Sequence, residues 1–224
     1  MKLGLLFSGG KDSTYAGFLA QKYGHNIVCL ISLESKNLES YMFHTPSVSQ
    51  TVNQSNMMDI PIITQKTSGK KESELKDLKK AIKQAKEKYK IEGIVTGAVA
   101  SVYQTTRIQK ICNELKLECF NPLWQKNQFE ILEELIKNKF EVVLTGVFAY
   151  PLNEKWIGRK IDSSFILDMK KLNEKYKINP AGEGGEFETL VINCPLFKRQ
   201  LKIVGKRTWS DDNGKSWRTE VILK

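Results

Sequence analysis

The chain has 224 residues, 41% hydrophobic and 27% charged, the composition of a globular protein with one substantial core or two modest ones, and fibrous, collagen-like and disordered classes are excluded. No run of eighteen or more apolar residues occurs, and the start MKLGLLFSGGKDS breaks into glycine and charge too early for a secretory segment, so a cytoplasmic protein without membrane contact is expected. Lysine plus arginine exceed aspartate plus glutamate by 35 to 25, a net charge of +10, which favours anionic ligands without choosing among nucleic acid, membrane surface and phosphorylated small molecules.

In chain order, KLGLLF is a short apolar run of strand type, SGGKDS a glycine loop, and DSTYAGFLAQKYG a helical pattern ending at Gly24. HNIVCLISL reads as a second strand, residues 34–46 as a polar stretch, 47–57 as a helix and IPIITQKT as a third strand. Across 70–90, Leu75, Leu78, Ala81, Ile82, Ala85 and Tyr89 recur at helical spacing with lysines between them, so much of the basic charge belongs to a solvated helix face. GIVTGAV, a helix over 101–116 and LECFNPL follow. Strands alternating with helices predict an α/β, Rossmann-like parallel sheet with helices on both faces, whose ligands bind at the carboxyl ends of the strands, where Ser8, Ser32 and Gly97 emerge.

Beyond NPLW the pattern changes to a helix over 127–138, the strand EVVLTGVFA, a helix near 163–176 and a glycine–glutamate cluster at 182–189. Two last strand-like runs, QLKIVGKRTW and SWRTEVILK, flank Asp211-Asp212-Asn213-Gly214, a hairpin signal. These elements predict a smaller C-terminal α+β domain ending in a hairpin, with domains at 1–125 and 126–224. Trp124 and Phe129 are expected in the core.

Glycines in Ser8-Gly9-Gly10-Lys11-Asp12-Ser13 allow close approach, so N–H groups converge on phosphate oxygens at the start of a helix. The serine hydroxyls donate further bonds, and Lys11 supplies a mobile cation. The string is neither a GxxxxGK[ST] loop nor a GxGxxG turn. Asp12 serves equally well as a Mg²⁺ ligand or as an acid favourable to the helix dipole. Arginine, the better bidentate reader, stands only at 107, 159, 199, 207 and 218, which disfavours direct nucleic-acid binding. Cys29, Cys112, Cys119 and Cys194 show no CxxC spacing, and with residue 2 a lysine no built-in glutaminase is expected, so nitrogen would come from free ammonia.

A second cluster, Gly182-Glu183-Gly184-Gly185-Glu186-Phe187-Glu188-Thr189, gathers three carboxylates in six residues, a density that calls for a cationic partner. The SGGKDS loop resembles that of the N-type ATP pyrophosphatases, whose sheet is of the HUP type. Together with GAVASVYQTTR, NPLW and GEGGEFETL it is similar to the diphthine–ammonia ligase family from residue 4 to about 196. The resemblance implies that ATP adenylates the carboxylate of diphthine on translation elongation factor 2, that ammonia displaces AMP, and that Mg²⁺ assists. By the same resemblance Ser8, Gly9, Gly10, Lys11, Asp12 and Ser13 bind phosphate, while Glu183, Gly184, Gly185, Glu186, Glu188 and Thr189 form the substrate side; Glu186 or Glu188 serves equally well to accept a proton from ammonium or to bind the quaternary amine of diphthine. Ser101, Tyr103, Gln104 and Arg107 match a string facing the same cleft, Arg107 meeting phosphate, ordering an acid or equally forming a structural salt bridge, and Ser32, His44 and Gly97 lie near the nucleotide.

The resemblance further implies a short, archaeal-type ligase, since eukaryotic members are expected to carry additional C-terminal domains. A tRNA-modifying or small-molecule adenylating enzyme, or a non-catalytic adenine-nucleotide sensor, are the alternatives the same loop leaves open.

Overall fold

The computed structural model describes residues 1–35, 50–68, 71–211 and 214–223. They fall into two compact units, Met1–Trp124 and Gln125–Lys224.

In the first unit, β1 (Lys2–Leu6), β2 (Asn26–Ser35), β3 (Ile62–Thr67), β4 (Gly93–Val95) and β5 (Glu118–Phe120) form one sheet in the order β3-β2-β1-β4-β5. Every pairing is parallel. The chain steps outward from β1 to β3 and then returns past β1 to β4 and β5. With right-handed crossovers, this reversal sends the connecting helices to opposite faces. α1 (Lys11–Lys22) packs on β1, β2 and β4, whereas α3 (Lys71–Tyr89) packs on β2 and β3 and touches α4 (Val102–Leu115), which lies on β5. The β1/β4 neighbourhood is thus the switch point, where α/β sheets take their ligands.

Local sequence explains the elements. α1 ends where Gly24 takes φ +83° and His25 N donates to Ala20 O, a left-handed stop that glycine makes cheaply. α3 turns Leu78, Ala81, Ile82 and Ala85, all fully buried, onto Cys29, Ile31, Leu33 and Ile94 of the sheet, while Lys76, Lys79, Lys80 and Lys83 are exposed. α2 (Thr51–Met58) forms where a helix is expected over 47–57, of which residues 47–49 lie outside the described ones. GIVTGAV yields a strand of three residues, because β4 pairs with β1 and β5 only as far as Val95.

The second unit holds α5 (Gln128–Lys137), α6 (Ser163–Tyr176) and an antiparallel sheet ordered β7-β6-β9-β8, from β6 (Glu141–Val147), β7 (Phe187–Asn193), β8 (Ile203–Asp211) and β9 (Ser216–Leu223). β8 and β9 form the hairpin, with Asp211 opposite Ser216 and Gly214 at φ +86°. β7 departs from the sequence reading: the second half of the acidic cluster is a strand buried along almost its whole length, and its glutamates hide the apolar run Phe187, Leu190, Val191, Ile192. Trp124 and Phe129 are half-buried rather than core, Leu123 and Ile131 taking the interior positions beside them.

Asp162 caps α6, its Oδ1 accepting from Phe165 N at 2.8 Å and Ser164 Oγ at 2.7 Å. The Phe165 N–H, then the Ser164 hydroxyl, hold its carboxyl below the usual range. A depressed folded-state value means that the cap's stabilisation is present above the unfolded carboxylate range and is lost as pH falls through the folded value. Replacing Asp162 with alanine is expected to lower stability by about 0.5–2 kcal/mol at neutral pH, a deficit that narrows on acidification, as urea unfolding at two pH values will show. Ile82→Ala is expected to cost about 2–5 kcal/mol in the same assay, against less than about 0.5 kcal/mol for the exposed Lys83→Ala.

Candidate functional site

The glycine loop leaves β1 beside β2, Phe7 N donating to Ile31 O at 2.8 Å. Its hydroxyls close it from within. Ser13 Oγ accepts from Ser8 N at 3.3 Å and donates to Gly10 O at 3.2 Å, Ser8 Oγ accepts from Gly10 N at 3.4 Å, and Thr14 Oγ1 donates to Gly10 O at 2.8 Å. Gly10 stands at the cap position of α1 in extended conformation and brings no capping side chain, so the positive end of the helix faces outward with no side chain of its own across it. Lys11 is 3% exposed, and its Nζ lies 2.7 Å from Asp12 Oδ2. The second oxygen, Asp12 Oδ1, is buried without a hydrogen-bond partner.

Sequence reasoning missed one residue that shapes this loop. Gln54, on α2 and fully buried, donates from Nε2 to Gly9 O at 3.0 Å. Gly9 has φ +80°, and a Cβ on it would run into Gln54 Oε1, so the glycine and the amide lock one another. Thr51 and Ser55 share the buried side of α2, with Gln50 buried at its cap position, a polar inner face that a search for apolar periodicity passes over. Gly97 is needed for a related reason: a Cβ there would meet the Asp12 and Ser13 backbone at 2.7 Å, which lets the loop after β4 lie directly against the first turn of α1.

Buried polar atoms without partners gather at the carboxyl edge of this sheet. Besides Asp12 Oδ1 they include Ser32 Oγ, level with the start of the loop, Thr67 Oγ1 at the end of β3, Thr105 Oγ1 on α4 and both amide atoms of Asn121 just past β5. His25 Nδ1, ahead of β2, is an exception at the other edge. Such atoms cost free energy unless something polar meets them, and their concentration on one edge marks a polar ligand site.

In the third string, Ser101 caps α4 by accepting from Gln104 N at 3.3 Å, and the Arg107 guanidinium stacks on the Tyr103 ring, 3.4 Å from its centroid. Stacking holds the planar donor fork in one orientation. His44 lies outside the described residues.

The acidic cluster of the second unit is organised by one of its own carboxylates. Glu186 Oε1 accepts from Asn179 N at 3.0 Å and Asn179 Nδ2 at 2.7 Å, and Oε2 accepts from Gly184 N at 2.8 Å. Gln128 braces the same turn, donating to Asn179 Oδ1 at 3.2 Å and accepting from Ala181 N at 3.0 Å. With three donors on it, Glu186 is the bracket of the loop. Glu188 and Thr189 are buried on β7, Glu183 is half-buried, and Gly184 and Gly185 are exposed.

The four thiols are free. Burial pushes Cys29 and Cys194 up to about 12, and the hydrogen bond to Cys119 together with burial raises Cys112, so these three are protonated at neutral pH. Among the described residues no three His, Cys, Asp or Glu side chains gather as a metal cluster, and no helix is long and apolar enough to cross a membrane.

A parallel sheet with a glycine loop at its switch point, and a separate acidic loop on an antiparallel unit, is the layout of an α/β protein with a nucleotide-type site. Models of the diphthamide synthase N-terminal and C-terminal domains match residues 1–119 and 127–220. The chain is 33% identical to the diphthine–ammonia ligase of Bos taurus over 222 residues, covering 90% of this chain and 82% of that one, and 32% identical to the Homo sapiens ligase with the same coverage. The Schizosaccharomyces pombe ligase is 30% identical over 96% of this chain, which spans 38% of its length. The chain belongs to the diphthine–ammonia ligase family. Additional length marks the yeast relative and not the mammalian ones, so the expected split between short archaeal and long eukaryotic members does not hold. A solved structure described as a predicted subunit of tRNA methyltransferase from Methanocaldococcus jannaschii overlaps 87% of this chain and 98% of its own at a TM-score of 0.42 and 14% identity, a level that carries across neither fold nor activity.

Replacing Gln54 with methionine keeps the volume but leaves Gly9 O without its buried donor. ATP affinity measured by calorimetry is expected to fall at least about tenfold, equivalent to about 1.4 kcal/mol; unchanged affinity would show that the loop does not depend on α2.

Proposed function

We propose that the chain is an AMP-forming ligase that converts diphthine on translation elongation factor 2 to diphthamide in the cytoplasm, with ATP and ammonium as co-substrates. The first unit takes ATP and the second recognises the acceptor. The acceptor carboxylate attacks the α-phosphorus, pyrophosphate departs, and ammonia attacks the acyl carbon of the adenylate as AMP leaves. The observation that carries this reading is the loop at 8–13, where a helix start without a capping side chain, two glycines and the Lys11 ammonium meet at the switch point of the sheet.

Lys11 exchanges its bond with Asp12 for the charge that develops on the leaving pyrophosphate, while backbone N–H groups of the loop hold the phosphate oxygens. Ser8 and Ser13 keep the loop in shape. Ser32 and the backbone at Gly97 serve the nucleoside, and Arg107 serves anionic charge. Asp12 fits a Mg²⁺ ion, since its Oδ1 is a buried oxygen with no partner; the ion would supply charge neutralisation among the phosphates. On the acceptor side, Glu183 and Glu188 offer negative charge to the trimethylammonium group of diphthine. Glu186 is a positioning residue, because its carboxylate is already bound to Asn179 and Gly184.

Incubation of the full chain with ATP, Mg²⁺, ammonium and diphthine-bearing elongation factor 2 is expected to give AMP and a loss of roughly one dalton from the acceptor, as a hydroxyl becomes an amide. AMP without that mass change would overturn the ligase reading. In the same assay Lys11→Ala is expected to slow AMP formation by about a hundredfold or more, the scale of removing one preorganised electrostatic group.

A further inference from the structure

In the second unit Glu188 of the acidic cluster is joined by an aromatic ring and an opposite charge that no sequence motif marks. On β6, Gly146 pairs with Glu188 of β7 on one side and with Arg218 of β9 on the other. Residues directly opposite in antiparallel strands project to the same face, so a carboxylate and a guanidinium flank a position with no side chain. The Phe148 ring fills it: a Cβ on Gly146 would run into that ring and would lie 3.3 Å from Glu188 Oε2. The Arg218 guanidinium lies over the same ring, 4.7 Å from its centroid. Phe148 N donates to Glu186 O at 2.8 Å, which ties the ring to the acidic loop. Glu188 is 8% exposed, while Phe148 and Arg218 are half-buried, so the cluster is built into the fold yet open on one side.

We propose that Glu188, Phe148 and Arg218 form a subsite for a zwitterion that carries a quaternary ammonium and a carboxylate on one carbon. The inference rests on the ligase reading, and it assigns ends to that acceptor. The methylated nitrogen, which has no N–H to donate, is held by the negative charge of Glu188 and the aromatic ring. The carboxylate is oriented by the donor fork of Arg218, which stacking on Phe148 holds in plane. Recognition at both ends fixes which carboxyl oxygen is presented for activation, and it rejects acceptors that lack either charge.

The test uses the full chain and two synthetic acceptors, a diphthine-bearing peptide and its neutral isostere with a tert-butyl group in place of trimethylammonium. For the wild type, the KM of the isostere is expected to be at least about tenfold higher, the effect of one lost charge contact. Glu188→Gln is expected to abolish that discrimination. Arg218→Lys, which keeps the charge and loses the fork, is expected to raise the KM of both acceptors about tenfold while the KM for ATP changes less than about twofold. Equal use of the two acceptors by the wild type would overturn the subsite without reference to any variant. Retained discrimination in Glu188→Gln would also overturn it and leave the ligase reading standing, whereas failure of the wild type to amidate the diphthine peptide would overturn both.

Discussion

A helix that begins at a glycine, with no side chain to cap it, is the constraint on which the first unit depends. α1 presents its positive end at the point where the sheet reverses direction, and Gly10 brings nothing to cover it. The surrounding chain maintains this exposure. Gln54 holds Gly9 in a left-handed conformation, Ser8 and Ser13 close the loop on itself, and Gly97 lets the neighbouring loop approach without a Cβ. Unsatisfied polar atoms at the same edge, from Asp12 to Asn121, extend the arrangement over several strands. A fold that needed only stability would satisfy these groups internally.

The second unit solves a different electrostatic problem. Three glutamates in six residues repel one another, and one is spent on restraint: Glu186 takes three N–H donors and so stabilises the turn that carries Glu183 and leads into Glu188. Both of its oxygens are engaged by donors of its own loop. Glu188 stands opposite Gly146 on one side of β6 and Arg218 opposite it on the other, so charges of both signs flank that position. The net charge of +10 gives no hint of this local arrangement, because most of the lysine excess lies on solvated faces such as that of α3.

Much of this was legible in the residues. SGGKDS at the end of an apolar strand marked the loop, alternation of strands and helices marked the parallel sheet, and the turn ending in Gly214 marked the hairpin. What escaped did so for physical reasons. The inner face of α2 is polar, so hydrophobic periodicity does not register Gln54. β7 starts inside a glutamate cluster, which masks the apolar residues that follow it. Residue type alone does not tell whether a carboxylate serves a ligand or its own loop, so Glu186 and Glu188 looked equivalent. Phe148 and Arg218 lie seventy positions apart and meet only through the pairing of β6 with β9. Trp124 and Phe129 show the converse error, in which bulk suggested burial that smaller neighbours took instead.

The most direct test of the account is a crystal structure of the full chain with an ATP analogue bearing a methylene bridge between its α- and β-phosphates. The β- and γ-phosphate oxygens are expected within hydrogen-bond distance, about 3 Å, of backbone N–H groups between Gly9 and Ser13, with Lys11 Nζ turned from Asp12 to the phosphates. A triphosphate bound elsewhere, with the Lys11–Asp12 pair intact, would contradict it.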